Sequence, residues 1–229
     1  MFHKVFSFLL ILLITCSVNA AEYSRYLQNY SVEDGLSQSY VNQTVQDGLG
    51  YLWIATDYGL NRFDGYEFEK ITGPDNVFAN DGIIAMYKLS NGQLIISTYY
   101  TGAYFLDPVT LDVTRFYDGK LIETKDELLS VEDALEEGNR LWLAIGRHLV
   151  LYDKESRNFS VVFSLGDSAD LIRTLFHKDD YIYFGTSKGL YVYHIETGGA
   201  GLTSHKPSSL KDTQNNNNVK YLAWDHRLG

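Results

Sequence analysis

Residues 185–189, "GTSKG", have the G-x-S-x-G spacing that in hydrolases presents a serine nucleophile. That chemistry needs a strand running into a strained turn and then a helix, so that the serine oxygen stands clear. Here "LYVYH" follows, which reads as a strand, and the same slot earlier in the chain reads "ATDYG". Ser187 is therefore expected in a hairpin turn. His177, Asp179 and Asp180 could ligate a metal, yet they sit together where a polar hairpin tip is expected. His148, His194, His205 and His226 are scattered without ligand spacing, and the sequence has neither a D-x-D-x-D-G calcium loop nor a P-loop. Arg147-His148 gives the one hint of an acid–base pair. The set predicts no catalytic residue, no metal and no cofactor. Sequons at Asn29, Asn42 and Asn158 matter only in a eukaryotic secretory pathway.

The elements that carry these residues recur. "YLWIATDYGLNRFD" at 51–64 aligns with "QLIISTYYTGAYFLD" at 93–107, "RLWLAIGRHLVLYD" at 140–153 and "YIYFGTSKGLYVYH" at 181–194. Leu52, Leu94, Leu141 and Ile182 are equivalent, at spacings of 42, 47 and 41 residues. Each copy follows a turn rich in Gly, Asn or Asp, residues that supply the backbone conformations tight hairpins need. A further apolar segment lies upstream of each turn and an extended one downstream. Four short strands every 41–47 residues predict an all-β chain of β-propeller blades. The second strand is apolar nearly throughout, as a strand covered on both faces should be. A small residue always stands at Ala55, Ser97, Ala144 or Gly185, beside Trp53 or Trp142 in two copies. Those tryptophans are read as packing between blades. Leu128, Val131 and Leu135 in "DELLSVEDALEEG" have helical spacing, but the repeat is expected to override it. "SSLKDTQNNNN" at 208–218 reads as a solvated loop.

Val5 to Val18 is an almost unbroken apolar stretch after a short basic start, and Val18-Asn19-Ala20 suits a signal peptidase. Residues 1–20 are expected to be a cleaved signal peptide. The stretch is short of the roughly 20 residues that span a bilayer, and Thr15 suits a lipidated Cys16 poorly. Cys16 is the only cysteine, so the 209 residues after Ala20 can form no disulfide or thiolate metal site. The chain must hold together by apolar burial, and it is long enough to do so. The formal charge of −10, and −11 without Lys4, opposes a nucleic-acid partner or an anionic membrane surface.

"SVEDGLSQSYVNQTVQDGLGYLWIATDYGLNRFDGYEFEKI", residues 31–71, resembles the two-component regulator propeller repeat. Asp34-Gly35-Leu36-Ser37, Gln46-Asp47, Gly50, Leu52-Trp53-Ile54, Thr56, Gly59-Leu60-Asn61-Arg62 and Asp64-Gly65 fall on its pattern. Ala55 replaces a Gly, Phe63 replaces a Tyr, and the later copies drift further. The resemblance implies the periplasmic, inner-membrane-anchored sensor region of a bacterial histidine kinase or diguanylate cyclase. It also implies a β-sandwich module and a transmembrane helix downstream, with a homodimer in the full-length protein. On this reading the chain is an incomplete open arc. It has blades near 37–72, 80–117, 127–163 and 170–205, the start of a fifth at 217–229, and a lead-in strand at 21–33 that closes the last blade of the complete ring.

In such an arc the loops between second and third strands gather on one face with those entering each first strand. They would bring together Gln38, Tyr40, Asn42, Asp57, Tyr58, Tyr99, Tyr100, Arg147, His148 and Lys188. Aromatic faces beside amides and charges suit a carbohydrate or another small polar ligand. The expected function is non-catalytic ligand sensing. An exported propeller enzyme such as a polysaccharide lyase, or a protein-interaction scaffold, is the alternative.

Overall fold

The computed structural model describes residues 28–119, 130–166, 170–202, 210–215 and 218–224. The expected signal peptide and most of the lead-in strand lie outside them. Four antiparallel sheets of four strands follow one another, each a simple meander. Blade 1 holds β1 (Val41–Gln46), β2 (Leu52–Thr56), β3 (Gly59–Phe63) and β4 (Phe68–Ile71). Blade 2 holds β5 (Ile83–Lys88), β6 (Leu94–Thr98), β7 (Ala103–Leu106) and β8 (Val113–Tyr117). Blade 3 holds β9 (Val131–Glu137), β10 (Arg140–Ile145), β11 (His148–Asp153) and β12 (Phe159–Ser164). Blade 4 holds β13 (Ile172–Lys178), β14 (Tyr181–Thr186), β15 (Gly189–His194) and β16 (Ala200–Leu202). The first strand of each blade lies against the first strand of the next, so the sheets stack radially about a hub. The described blades form an open propeller arc.

The second strands of blades 2 and 3 are apolar because each faces a blade on both sides. Trp53 and Ala55 pack toward blade 2, where they meet Leu94 and Ile96. Ile95 points the other way and meets Leu141 and Leu143 of blade 3. Trp142 and Ala144 in turn meet Ile182 and Phe184. The small residues thus leave room beside large ones, as the repeat predicts. Each tryptophan also needs a partner for its indole N–H. Trp53 Nε1 donates to Asp47 Oδ2 at 2.8 Å, and Trp142 Nε1 to Glu137 Oε2 at 2.7 Å. Asp47 Oδ1 meanwhile accepts the amides of Leu49 and Tyr51, closing the β1–β2 turn.

The helical spacing around Val131 is overridden in the described part, because β9 gains a full hydrogen-bonded partner in β10. Residues 210–215 correct the expected loop. They form β17 (Leu210–Asn215), which pairs with β18 (Asn218–Trp224) in an antiparallel hairpin. β18 lies against β13 and β14 much as β5 lies against β1 and β2. β17 hydrogen-bonds along one edge of it. Residues 28–33, the end of the expected lead-in strand, carry no strand. Val32–Asp34 form a 3-10 turn that Ser31 caps, and Tyr30 lays its ring edge-on against Phe63 and Phe68 of blade 1. Ser37 then donates through both its amide and its hydroxyl to Asn61 Oδ1, tying this lead-in to β3.

Candidate functional site on the loop face

One irregularity recurs in every blade. The register of the first strand against the second slips between Val41 and Gln43, Ile83 and Ala85, Val131 and Asp133, and Ile172 and Thr174. The bulged residues are Asn42, Ile84, Glu132 and Arg173, all near the loop-face end of the hub. A bulge re-aims a side chain out of the sheet. Asn42 uses this to donate to Asp57 Oδ1 at 2.8 Å and to the Ile83 carbonyl of the next blade at 2.9 Å. Glu132 and Arg173, bulged residues of adjacent blades, approach to 3.6 Å.

Around Asn42 the expected residues of blades 1 and 2 converge. The Tyr99 hydroxyl reaches Asp57 Oδ1 at 3.5 Å, and its ring lies over the backbone at Gly82, where a Cβ would stand 2.7 Å from it. Burial first, and then the Asp57 carboxylate, holds the Tyr99 hydroxyl above its ordinary pKa, with Tyr40 and Glu132 adding to the effect. Tyr40, Tyr58 and Tyr100 are largely exposed. Gln38 accepts the Tyr40 amide at 2.9 Å and so orders the strand that leads into β1. The site is therefore a tyrosine-rich rim over an Asn42–Asp57 pair.

The expected residues of blades 3 and 4 stand differently. Arg147 Nη1 is directed at the Leu165 carbonyl, 3.4 Å away. His148 is the first residue of β11 and is buried, with Nδ1 2.7 Å from Ser164 Oγ. Burial, assisted by Arg147, lowers its pKa below the ordinary histidine value. His148 thus leaves the exposed set, because its slot points inward wherever a β2–β3-type turn begins its third strand. Lys188 closes its own turn through its amide to Thr186 Oγ1. Ser187 lies in that same turn, as expected, and its hydroxyl donates to Asp170 Oδ1 at 2.6 Å. His177 Nε2 lies 2.7 Å from the Asp179 carbonyl within its hairpin tip.

Two features were not read from the residues in advance. Glu132 and Arg173 reach the hub mouth only through the bulges, which no residue type marks. A cleft of about 480 Å³ also opens beside Tyr100, lined by Asp75, Asn80, Asp81, Thr101, Tyr104 and Arg115 among others. Its wall is the link between blades 1 and 2, residues 73–82, pinned by the fully buried Phe78. The turn-forming "GPDN" at 73–76 was the available signal.

This is the class of open, four-stranded-blade propeller arcs with a polar loop face. No family model matches the chain. A histidine kinase, P4 of Formosa agariphila, is 40% identical over 65 residues, which is 28% of this chain and 5% of that protein. The extracellular domain of the hybrid two-component system BT4673 from B. thetaiotaomicron superposes with a TM-score of 0.63 at 20% identity, over 79% of this chain and 24% of that one. Saccharomyces cerevisiae Sqt1 shares the fold at a TM-score of 0.58 and 11% identity, over 73% of this chain and 50% of that one. The chain spans only a small part of the kinase and about a quarter of the two-component protein. The resemblance to two-component sensor propellers read from residues 31–71 is borne out by these comparisons. Among the described residues no helix is long and apolar enough to cross a membrane.

Proposed function

We propose that this chain is the exported, non-catalytic ligand-sensing part of a membrane-bound bacterial signalling protein. It binds a small polar ligand on the loop face of blades 1 and 2. The observation that carries this reading is the Asn42–Asp57 pair, which the Tyr99 hydroxyl reaches and through which Asn42 grips the next blade at Ile83, with the exposed Tyr40, Tyr58 and Tyr100 on the same loops. A ligand held there bridges two blades and alters their packing. In the full-length protein that change passes to the downstream sandwich module, the membrane helix and a homodimeric output. The test is the triple substitution Tyr58→Ala, Tyr99→Ala, Tyr100→Ala in the full-length protein. Loss of the signalling response with normal export supports the proposal, and an unaltered response ends it. N-terminal sequencing of the exported protein tests the cleavage after Ala20: a first residue of Ala21 is expected.

A further inference from the structure

Asp81 is buried at 4% exposure just before β5, and three donors converge on one of its oxygens. Oδ2 accepts the amides of Tyr100 and Thr101 at 3.0 and 2.9 Å and the Thr101 hydroxyl at 2.9 Å. These bonds fix the β6–β7 turn. Oδ1 has no hydrogen-bond partner, although Asp81 lines the cleft. A buried acceptor without a donor is a cost that folding leaves standing, and such groups call for an explanation.

The rest of the cleft adds two opposite charges. Asp75 and Arg115 both line it, and neither side chain has an ion pair or hydrogen bond to a described residue. Asp75 and Asn76 are consecutive non-glycine residues at φ 53° and 56°, a left-handed pair that holds the wall in a sparsely used conformation. Arg115 stands across from Tyr104 in the β7–β8 register, and the Tyr100 ring is exposed at the rim.

We propose that this cleft binds a free α-amino acid. The ligand's ammonium is taken at the Asp81–Asp75 side, its carboxylate by Arg115, and its side chain lies against Tyr100. Charge balance selects this class. A neutral polyol would leave the guanidinium and both carboxylates without counter-charge. An anion would satisfy Arg115 and be repelled by the aspartates, and a simple cation would do the reverse. A zwitterion brings a cation to the aspartates and an anion to Arg115, and an arginine fork suits a carboxylate in two-point contact. A volume near 480 Å³ lies within the range of small-molecule sites. Oδ1 is closed to solvent as well as to protein donors, so the ligand's ammonium engages it through a small turn of the Asp81 carboxylate. That turn loads the Tyr100–Thr101 loop. The inference rests on the ligand-sensing reading and shares Tyr100 with it, but places an amino acid in the neighbouring cleft rather than on the Asn42–Asp57 pair.

The experiment is calorimetric titration of the full chain with each proteinogenic L-amino acid at about 1 mM. The same series is run on the N-acetylated and C-amidated forms of whichever binds, and on glucose. At least one free amino acid is expected to bind, and each capping is expected to weaken it about tenfold or more. Arg115→Gln, at an exposed position, should keep the fold by circular dichroism and bind the acid and the amide alike. Asp75→Asn should weaken the free amino acid and leave the N-acetylated form unchanged. The proposal is overturned if no amino acid binds, if capping makes no difference, or if Arg115→Gln still prefers the acid. Glucose binding that depends on Tyr100, with no amino acid bound, overturns this inference while leaving the sensor reading intact.

Discussion

Asp47 and Asp133 show what single side chains do between strands. Asp47 is buried and satisfies the Trp53 indole and two turn amides at once. Asp47→Ala leaves that indole N–H unpaired inside blade 1 and should lower stability by about 2–4 kcal/mol in urea unfolding. In the Trp53→Phe background the same change should cost visibly less, since the orphaned donor is gone. The repeat pattern marked Asp47 and Trp53 separately and placed Trp53 between blades; their hydrogen bond shows only in the structure. Asp133 was not legible. Its Oδ2 accepts the Leu175 amide of the next blade at 2.6 Å and its Oδ1 the amide of Ala134. Burial nonetheless raises its pKa to about 6, against the pull of those amides. A carboxyl raised in the folded state holds its proton more tightly there than in the unfolded chain. Its contribution therefore favours folding below about pH 4 and is lost as pH rises to about 6. We expect a loss on the order of 3 kcal/mol once the pH has passed about 6, read in pH-dependent unfolding. Asp133→Asn, which keeps an acceptor for Leu175, should flatten it.

At the scale of elements, blades adhere through polar ties as well as apolar faces. Gln43 is the clearest: its Nε2 donates to the Met86 carbonyl at 3.0 Å and its Oε1 accepts the Met86 amide at 2.7 Å. The side-chain amide acts as a one-residue strand between β1 and β5. Gln43→Ala should cost about 1–3 kcal/mol, since both Met86 groups lose their partner. Gln43→Glu should be no milder, because a carboxylate then faces a carbonyl. Hydrogen exchange at the Met86 amide is the direct readout, with faster exchange expected in both variants. The second and third strands could be read from apolar runs and Gly-rich turns, since local pairing and burial agree there. The β17–β18 hairpin could not. "LKDTQNNNN" is polar, with no apolar alternation to mark a strand, and its pairing with β18 is a feature that residue types do not show. The 73–82 link was hidden for a similar reason, because Phe78 and Val77 packing on the core and Asp81 bonds to the Tyr100–Thr101 turn fold it onto the blades.

Across the whole molecule, one residue per repeat reports whether a blade has a neighbour on its preceding side. Leu94, Leu141 and Ile182 are each 0% exposed, whereas the equivalent Leu52 is 37% exposed. The first three face the blade before them. Beside Leu52, among the described residues, Tyr30, Leu36 and Phe68 cover the adjoining Ile54 and Phe63. The sequence makes these four positions equivalent, and only the stacking of sheets distinguishes them. Leu94→Ala or Leu141→Ala should therefore cost about 2–5 kcal/mol, the range for a leucine cavity in a packed core. Leu52→Ala should cost less than about 1 kcal/mol, as a surface substitution does. Equilibrium unfolding of the three variants decides between a radial stack and a set of independent sheets. Equal losses at all three positions would mean that the inter-blade faces contribute no more than the surface does. If a further blade of a longer protein covers this face, the same Leu52→Ala change made there should rise to the cost of the other two. That increase would measure ring closure one side chain at a time.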